Sequence, residues 1–259
     1  MKKMLFLLSA VLVLSLQATL AQLSDPVQLM DKSRDLTMSG NIQSTVTLTI
    51  TEKSGSVRTR KLNMSTKSYD DGTIKRMVKF LDPADVRGTA MLIIDNENAQ
   101  DDMWIYLPAL KKTRRIVSTE KGKSFMSSEF SNADMSSGSN ADFTIRHLPE
   151  SGKNDIWVIE SVPVSDDKAD EYGFSKKVTF LDKKNLVTKK IDFYNFDNEL
   201  FKTIDIVGTQ PMEGKEGYIM TDMLAINHLS GRSSRVKFDQ VNTSVSIPDN
   251  TFVADNLSR

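Results

Sequence analysis

From Asn41 to Val241 the chain breaks into short stretches that alternate polar and apolar residues, each bounded by turn residues, and this rhythm constrains the fold more than any other feature. In Thr45-Val46-Thr47-Leu48-Thr49-Ile50-Thr51 every second residue is apolar and all the others are threonine. Successive side chains of a strand point to opposite faces, so this stretch makes a half-buried strand rich in β-branched residues. Ser54-Gly55 turns it into residues 57–67, Asp70-Asp71-Gly72 turns that into 73–81, and Asp82-Pro83 ends the third stretch. Residues 89–95, 103–107, 143–148, 156–164, 174–181, 187–194, 200–207, 218–227 and 232–241 repeat the pattern. The spacing predicts a mainly β protein: a single curved antiparallel sheet of about 11–12 strands, meandering and curled into a barrel or an incomplete half barrel.

Helices are few. Ser24-Asp25-Pro26 offers a cap and a first-turn proline for a helix over 27–36, which carries Val27, Met30 and Leu36. A second short helix is expected over 127–135 and a final turn after Ser246-Ile247-Pro248, through Phe252 and Val253. Residues 124–140, dense in Ser, Asn and Met with Gly138 inside, are expected to be mobile. No repeat or long linker divides the chain, so residues 22–259 are read as one domain.

At the start, Lys2 and Lys3 precede an apolar stretch over 4–16, and Thr19-Leu20-Ala21 supplies the small residues of a cleavage site. Residues 1–21 therefore read as a secretory signal peptide cut after Ala21. The chain has no cysteine, which removes disulfides, thiolate ligands and the attachment point of a lipid-anchored lipoprotein. The expectation is a soluble periplasmic protein, acting as a monomer. Removing Lys2 and Lys3 from 34 basic residues leaves 32 against 34 acidic ones. That near balance argues against nucleic acid as a partner, for which a basic face is the expected footprint.

Residues 78–135 are the most informative run. Ala90-Met91-Leu92-Ile93-Ile94 is apolar without a break, and in 103–107 Trp104 and Tyr106 share one face while Met103, Ile105 and Leu107 share the other. An antiparallel strand apolar on both faces is covered on both. The pieces FLDPADVRGTAMLIID, WIYLPALKKTRRI and SFMSSEFSNADM, in that order, resemble the outer-membrane lipoprotein-sorting protein family, the LolA-like periplasmic carriers. The resemblance implies a half barrel with an apolar concave face closed by short helices as a lid. It implies a cargo of lipid or lipoprotein acyl chains, and an inner-membrane RND-type transporter as partner.

On that reading Val78, Phe80, Met91, Ile93, Trp104 and Tyr106 form the cavity wall, with the register left open because both faces of Met91 to Ile94 are apolar. Phe125, Met126, Phe130 and Met135, apolar residues in a polar segment, form the lid. Lys111, Lys112, Arg114 and Arg115 follow Pro108 and are either a docking site for anionic headgroups or a membrane partner, or simply a solvated loop. Thirteen methionines suit an adaptable apolar surface, and equally the filling of core gaps.

Enzyme readings find little support. His147 and His228 stand far apart with no metal-ligand spacing, and the serine-rich segment lacks a Gly-x-Ser-x-Gly elbow. No cofactor is expected. Alternatives of other classes are a periplasmic lipid or peptide sensor that regulates a membrane partner, and a structural envelope protein whose concave face is filled by its own side chains.

Overall fold

The computed structural model describes residues 25–258, apart from 39, 97–98, 137, 150 and 152–154. The expected signal peptide lies outside the described residues. The first element is α1 (Pro26–Met38), opened by Asp25, whose Oδ1 accepts the Val27 N–H at 2.9 Å. Proline at its first position costs no hydrogen bond there. The buried Leu29 docks α1 against Ile159, Leu181 and Leu186.

Thirteen strands follow: β1 (Ile42–Thr51), β2 (Val57–Ser68), β3 (Ile74–Asp82), β4 (Ala90–Asp95), β5 (Asp102–Leu107), β6 (Lys112–Arg115), β7 (Phe143–His147), β8 (Ile156–Pro163), β9 (Lys176–Asp182), β10 (Thr188–Tyr194), β11 (Leu200–Pro211), β12 (Tyr218–Asn227) and β13 (Ser233–Asn242). They form one antiparallel sheet in the order β6-β5-β4-β3-β2-β1-β13-β12-β11-β10-β9-β8-β7. The first and last strands pair in its middle, and each half fans outward as a meander. β6 and β7 are the two edges, so the sheet is curved but not closed into a barrel. The strand beyond the expected 11–12 is β6. Lys112-Thr113-Arg114-Arg115 has no apolar alternation, yet it pairs with β5, Ile105 opposite Arg114. An edge strand tolerates charge on both faces, and its charges discourage pairing with other chains.

Two apolar layers sandwich the sheet. On the concave side Leu48, Val78, Phe80, Met91, Phe193 and Ile204 belong to one buried cluster. On the convex side Ala90 and Leu92, with Met77, Trp104 and Tyr106 beside them, are covered by the C-terminal segment through Ile247, Phe252 and Leu257. That segment forms two 3-10 turns, Asp249–Phe252 and Ala254–Asn256. It is held by Lys67, whose Nζ donates to the Ile247 carbonyl at 3.1 Å and to Asp249 at 2.7 Å. This covering explains why β4 is buried on both faces.

Between the edges runs a connection that crosses the concave side. Its α2 (Ser118–Lys121) packs against α3 (Asp166–Tyr172), which is capped by the Ser165 hydroxyl accepting the Lys168 N–H at 3.3 Å. Lys121 and Glu171 form a buried ion pair at 2.6 Å between these helices. Gly122 faces Gly173 so closely that a Cβ on Gly122 would lie 2.9 Å from the Gly173 backbone.

The helix expected over 127–135 does not form. The segment makes two separate 3-10 turns, Phe125–Ser127 and Ala133–Met135, with Met126 and Ser127 at φ of 49° and 61°. Its short polar side chains satisfy local backbone instead. Ser128 Oγ donates to the Phe125 carbonyl at 2.7 Å, and Asp134 Oδ2 accepts the Ser131 N–H at 2.7 Å.

Candidate functional site

The concave face encloses an apolar cavity of about 310 Å³, at the lower end of the roughly 300–1,000 Å³ of small-molecule sites. Its walls come from both halves of the sheet, with Val46, Leu48, Leu62 and Met64 on one side and Ile191, Phe193, Ile204 and Met223 on the other. Phe125, Phe130, Ala133 and Met135 roof it, and α1 contributes Met30, Arg34 and Thr37. Among the methionines, Met64, Met135, Met220 and Met223 line this space, while Met77 packs on the convex side.

Among the six expected wall residues, Val78 lines the cavity. Phe80, Met91 and Ile93 lie in the same concave cluster but beneath its lining, fully buried. Trp104 and Tyr106 require a correction: they lie on the convex side, under the C-terminal segment. The pairing shows why. Met91 is opposite Ile105 and Ile93 opposite Met103, whereas Leu92 faces Trp104 and Ala90 faces Tyr106. Paired residues share a face, so Met103 and Ile105 take the inward places.

The roofing segment is tied to both halves of the sheet more firmly than its composition suggests. Arg60 on β2 donates to the Met126 carbonyl, and Arg76 on β3 donates to the Met135 carbonyl. Asp134 pairs with Lys202 on β11 at 2.7 Å. Glu129 pairs with Arg232 at 2.9 Å and accepts the Asn227 amide at 2.9 Å. Burial lowers the pKa of both Arg60 and Arg76, opposed by Asp85 for the first and by Asp95 and Asp101 for the second. Burial, followed by the charge of Asp95, pushes the Asp101 carboxyl upward.

These cations escaped the reading of the sequence, although their positions hold a signal. Arg60 shares strand parity with Leu62 and Met64, Arg76 with Val78 and Phe80, and Lys177 with Thr179 and Leu181. A charge on the apolar parity of a half-buried strand points inward. Lys177, Phe193 and Lys202 lie side by side across β9, β10 and β11. Lys177 lines the cavity with its ammonium 4.6 Å from the centre of the Phe143 ring, and no carboxylate among the described residues lies within ion-pairing distance. Burial in this wall pulls its pKa down to about 8, with Lys202 adding to the fall and Asp134 opposing it.

The basic cluster is only partly free. Arg114 forms a two-pronged pair with Glu120 at 2.6 and 3.1 Å, and Arg115 pairs with Asp102. Lys111 and Lys112 are exposed and have no ion pair among the described residues. They sit at the β5–β6 turn. In an antiparallel meander alternate turns fall at one end, so this turn shares its end with the β1–β2, β8–β9, β10–β11 and β12–β13 connections. Those connections expose Leu110 (68%), Val57 (57%), Val164 (55%), Phe196 (61%) and Leu229 (62%). One rim thus carries apolar tips with free lysines beside one of them. No described helix is long and apolar enough to cross a membrane.

A family model whose description reads "-like: Uncharacterized protein" matches residues 72–259. Among solved structures, the chain is similar to an outer membrane lipoprotein-sorting protein domain from Vibrio parahaemolyticus. The two are 26% identical with a TM-score of 0.81, over 90% of this chain and 98% of that one. A DUF1329 family protein from Desulfovibrio piger is 25% identical, with a TM-score of 0.78 over 90% of this chain and 100% of that one. A LolA superfamily protein from Nitrosomonas europaea, at 17% identity, shares the fold with a TM-score of 0.68 over 90% and 99% of the two chains. No curated protein matches.

Proposed function

The chain belongs to the family matched over residues 72–259 and has the fold of the LolA-like outer-membrane lipoprotein-sorting proteins, and from that premise we propose that it is a periplasmic carrier of lipid or lipoprotein acyl chains. One observation carries the reading: an apolar cavity roofed by a segment whose ties to the sheet are mostly polar. Each CH₂ of an acyl chain moved from water into such a hollow gains roughly 0.8 kcal/mol. The roof is the lid. Phe125, Phe130 and Met135 occupy apolar space when no cargo is present and yield it to an entering chain, and Met126 moves with them. The protein acts by reversible burial and not by catalysis.

Delivery happens at the rim. Leu110, Phe196 and Leu229 insert shallowly into a lipid surface or a membrane partner, with Lys111 and Lys112 near anionic headgroups. The resemblance supplies an inner-membrane RND-type transporter as donor. A structural reading, with the hollow filled by its own side chains, draws on the burial of Phe125 and Phe130. Native mass spectrometry of protein taken from its envelope separates the two: co-purified lipid supports the carrier, and bare protein supports the structural role.

A further inference from the structure

We propose that the cavity selects an amphiphile with a single long chain and a monoanionic head, a long-chain carboxylate, and that Lys177 is its counter-ion. The inference rests on the carrier reading and names its cargo class. An apolar cavity has no need of a charged wall residue, and placing one there is costly unless the charge is paired. Most inward cations of this site have a partner on the protein. Lys202 has Asp134 at 2.7 Å, Arg76 has the Met135 carbonyl, and Arg34 has Asp95 at 3.4 Å. Among the described residues Lys177 has only the face of the Phe143 ring, at 4.6 Å.

A ring face is a weak partner for an ammonium and is readily supplemented by an anion on the open side. The charges set the valence of that anion. On the β9–β11 wall the paired Lys202 and Asp134 cancel and Lys177 leaves one positive charge, which a carboxylate balances and a doubly charged phosphate would exceed. Phe143, against which the amine rests, begins a run of rings with Phe174 and Phe193, ring centres 6.2 and 5.3 Å apart in sequence. The head is therefore held where the chain is already in apolar surroundings, and a charge-assisted hydrogen bond there is stronger than at an exposed site.

The test uses the purified protein, freed of bound lipid, with a neutral fluorescent probe, phenylnaphthylamine, in the cavity. Hexadecanoate and hexadecanol compete for it at pH 7. The acid is expected to bind roughly tenfold tighter than the alcohol, and Lys177→Met should abolish that preference. In the wild type alone, the preference should fall as pH rises from 7 toward 10, which tests the inference even if the variant does not fold. Equal binding of acid and alcohol overturns the inference and leaves the carrier reading standing. A preference that survives in Lys177→Met overturns it as well. Failure of both compounds to displace the probe overturns both readings.

Discussion

Asp134, in the segment that roofs the cavity, and Lys202, in the wall on β11, form a largely buried ion pair at 2.7 Å. The neighbouring residue Met135 gives its carbonyl to Arg76 on β3, so one 3-10 turn bridges the two halves of the sheet across the hollow. Breaking one partner of such a pair leaves the other charge buried and unbalanced. Asp134→Asn is expected to cost about 3 kcal/mol in urea unfolding and to speed amide exchange over residues 124–136. In the wild type, exchange there should slow when hexadecanoate binds. Unchanged exchange at saturating ligand would argue against a lid.

Phe130 is buried in the roof and Phe125 beside it touches Phe80 at a ring-centre distance of 6.0 Å. Phe130→Ala removes roof and enlarges the hollow at once. Stability should drop by about 3–5 kcal/mol, the usual cost of truncating a core phenylalanine. Probe affinity should rise, because the displaced volume now belongs to the cavity. A loss of probe binding in a folded variant would show that Phe130 is wall and not stopper.

The Lys177 amine titrates near 8 in the folded protein, below the value near 10.4 of an unfolded chain. Between these values the unfolded state holds more protons, so stability rises with pH across that window. Below about pH 8 the half-buried charge is present in both states and its cost to the fold is constant. Thermal unfolding of the cargo-free wild type should show this rise between pH 8 and 10. Lys177→Met should lack it and be more stable at pH 7, by on the order of 1–3 kcal/mol. A flat wild-type profile across the window would contradict the assignment.

Gly122 is required here by the close approach of a neighbouring chain segment and not by its backbone angle, since its φ is an ordinary −69°. A methyl group would meet the Gly173 backbone at 2.9 Å, and backbone cannot step aside as a side chain can. Gly122→Ala is expected to destabilise by about 1–3 kcal/mol through the docking of α2 on α3, weakening the Lys121–Glu171 pair. Amides over 118–123 should exchange faster than in the wild type, with the far half of the sheet unaffected.

At the rim, the two free lysines should matter more than the two paired arginines. Lys111→Gln with Lys112→Gln is expected to slow cargo delivery to anionic vesicles several-fold and to flatten its salt dependence, at about 1 kcal/mol per charge near the surface. Arg114→Gln with Arg115→Gln should have less effect, because Glu120 and Asp102 already offset those charges. Equal effects from the two pairs would mean that the whole cluster docks as one. No effect from either would make β6 simply a charge-protected edge.

Alternation made most strands and the first helix legible, since burial on one face dictates period two and the Asp25-Pro26 start dictates a helix. β6 was illegible for the complementary reason: an edge strand has no buried face to impose a pattern. On β5 the alternation was visible but ambiguous, because both of its faces are apolar. What decides its orientation is Ile247, Phe252 and Leu257, remote residues that cover the convex side. The roof residues Phe125, Phe130 and Met135 were recognisable as apolar side chains in a polar segment. The cations beneath them were recognisable only once strand parity was known.

The unmatched edges have a consequence for the girth of what can be held. A closed barrel fixes its bore, and widening it means unzipping a ladder of backbone hydrogen bonds along a whole strand. Here β6 and β7 share no ladder, so the trough can spread like a cupped hand. What spans the hollow instead is side chains, Arg76 to the Met135 carbonyl from one half of the sheet and Lys202 to Asp134 from the other. Under the proposed carrier role, the girth of a passenger is then set by side-chain bridges and not by a closed backbone ladder.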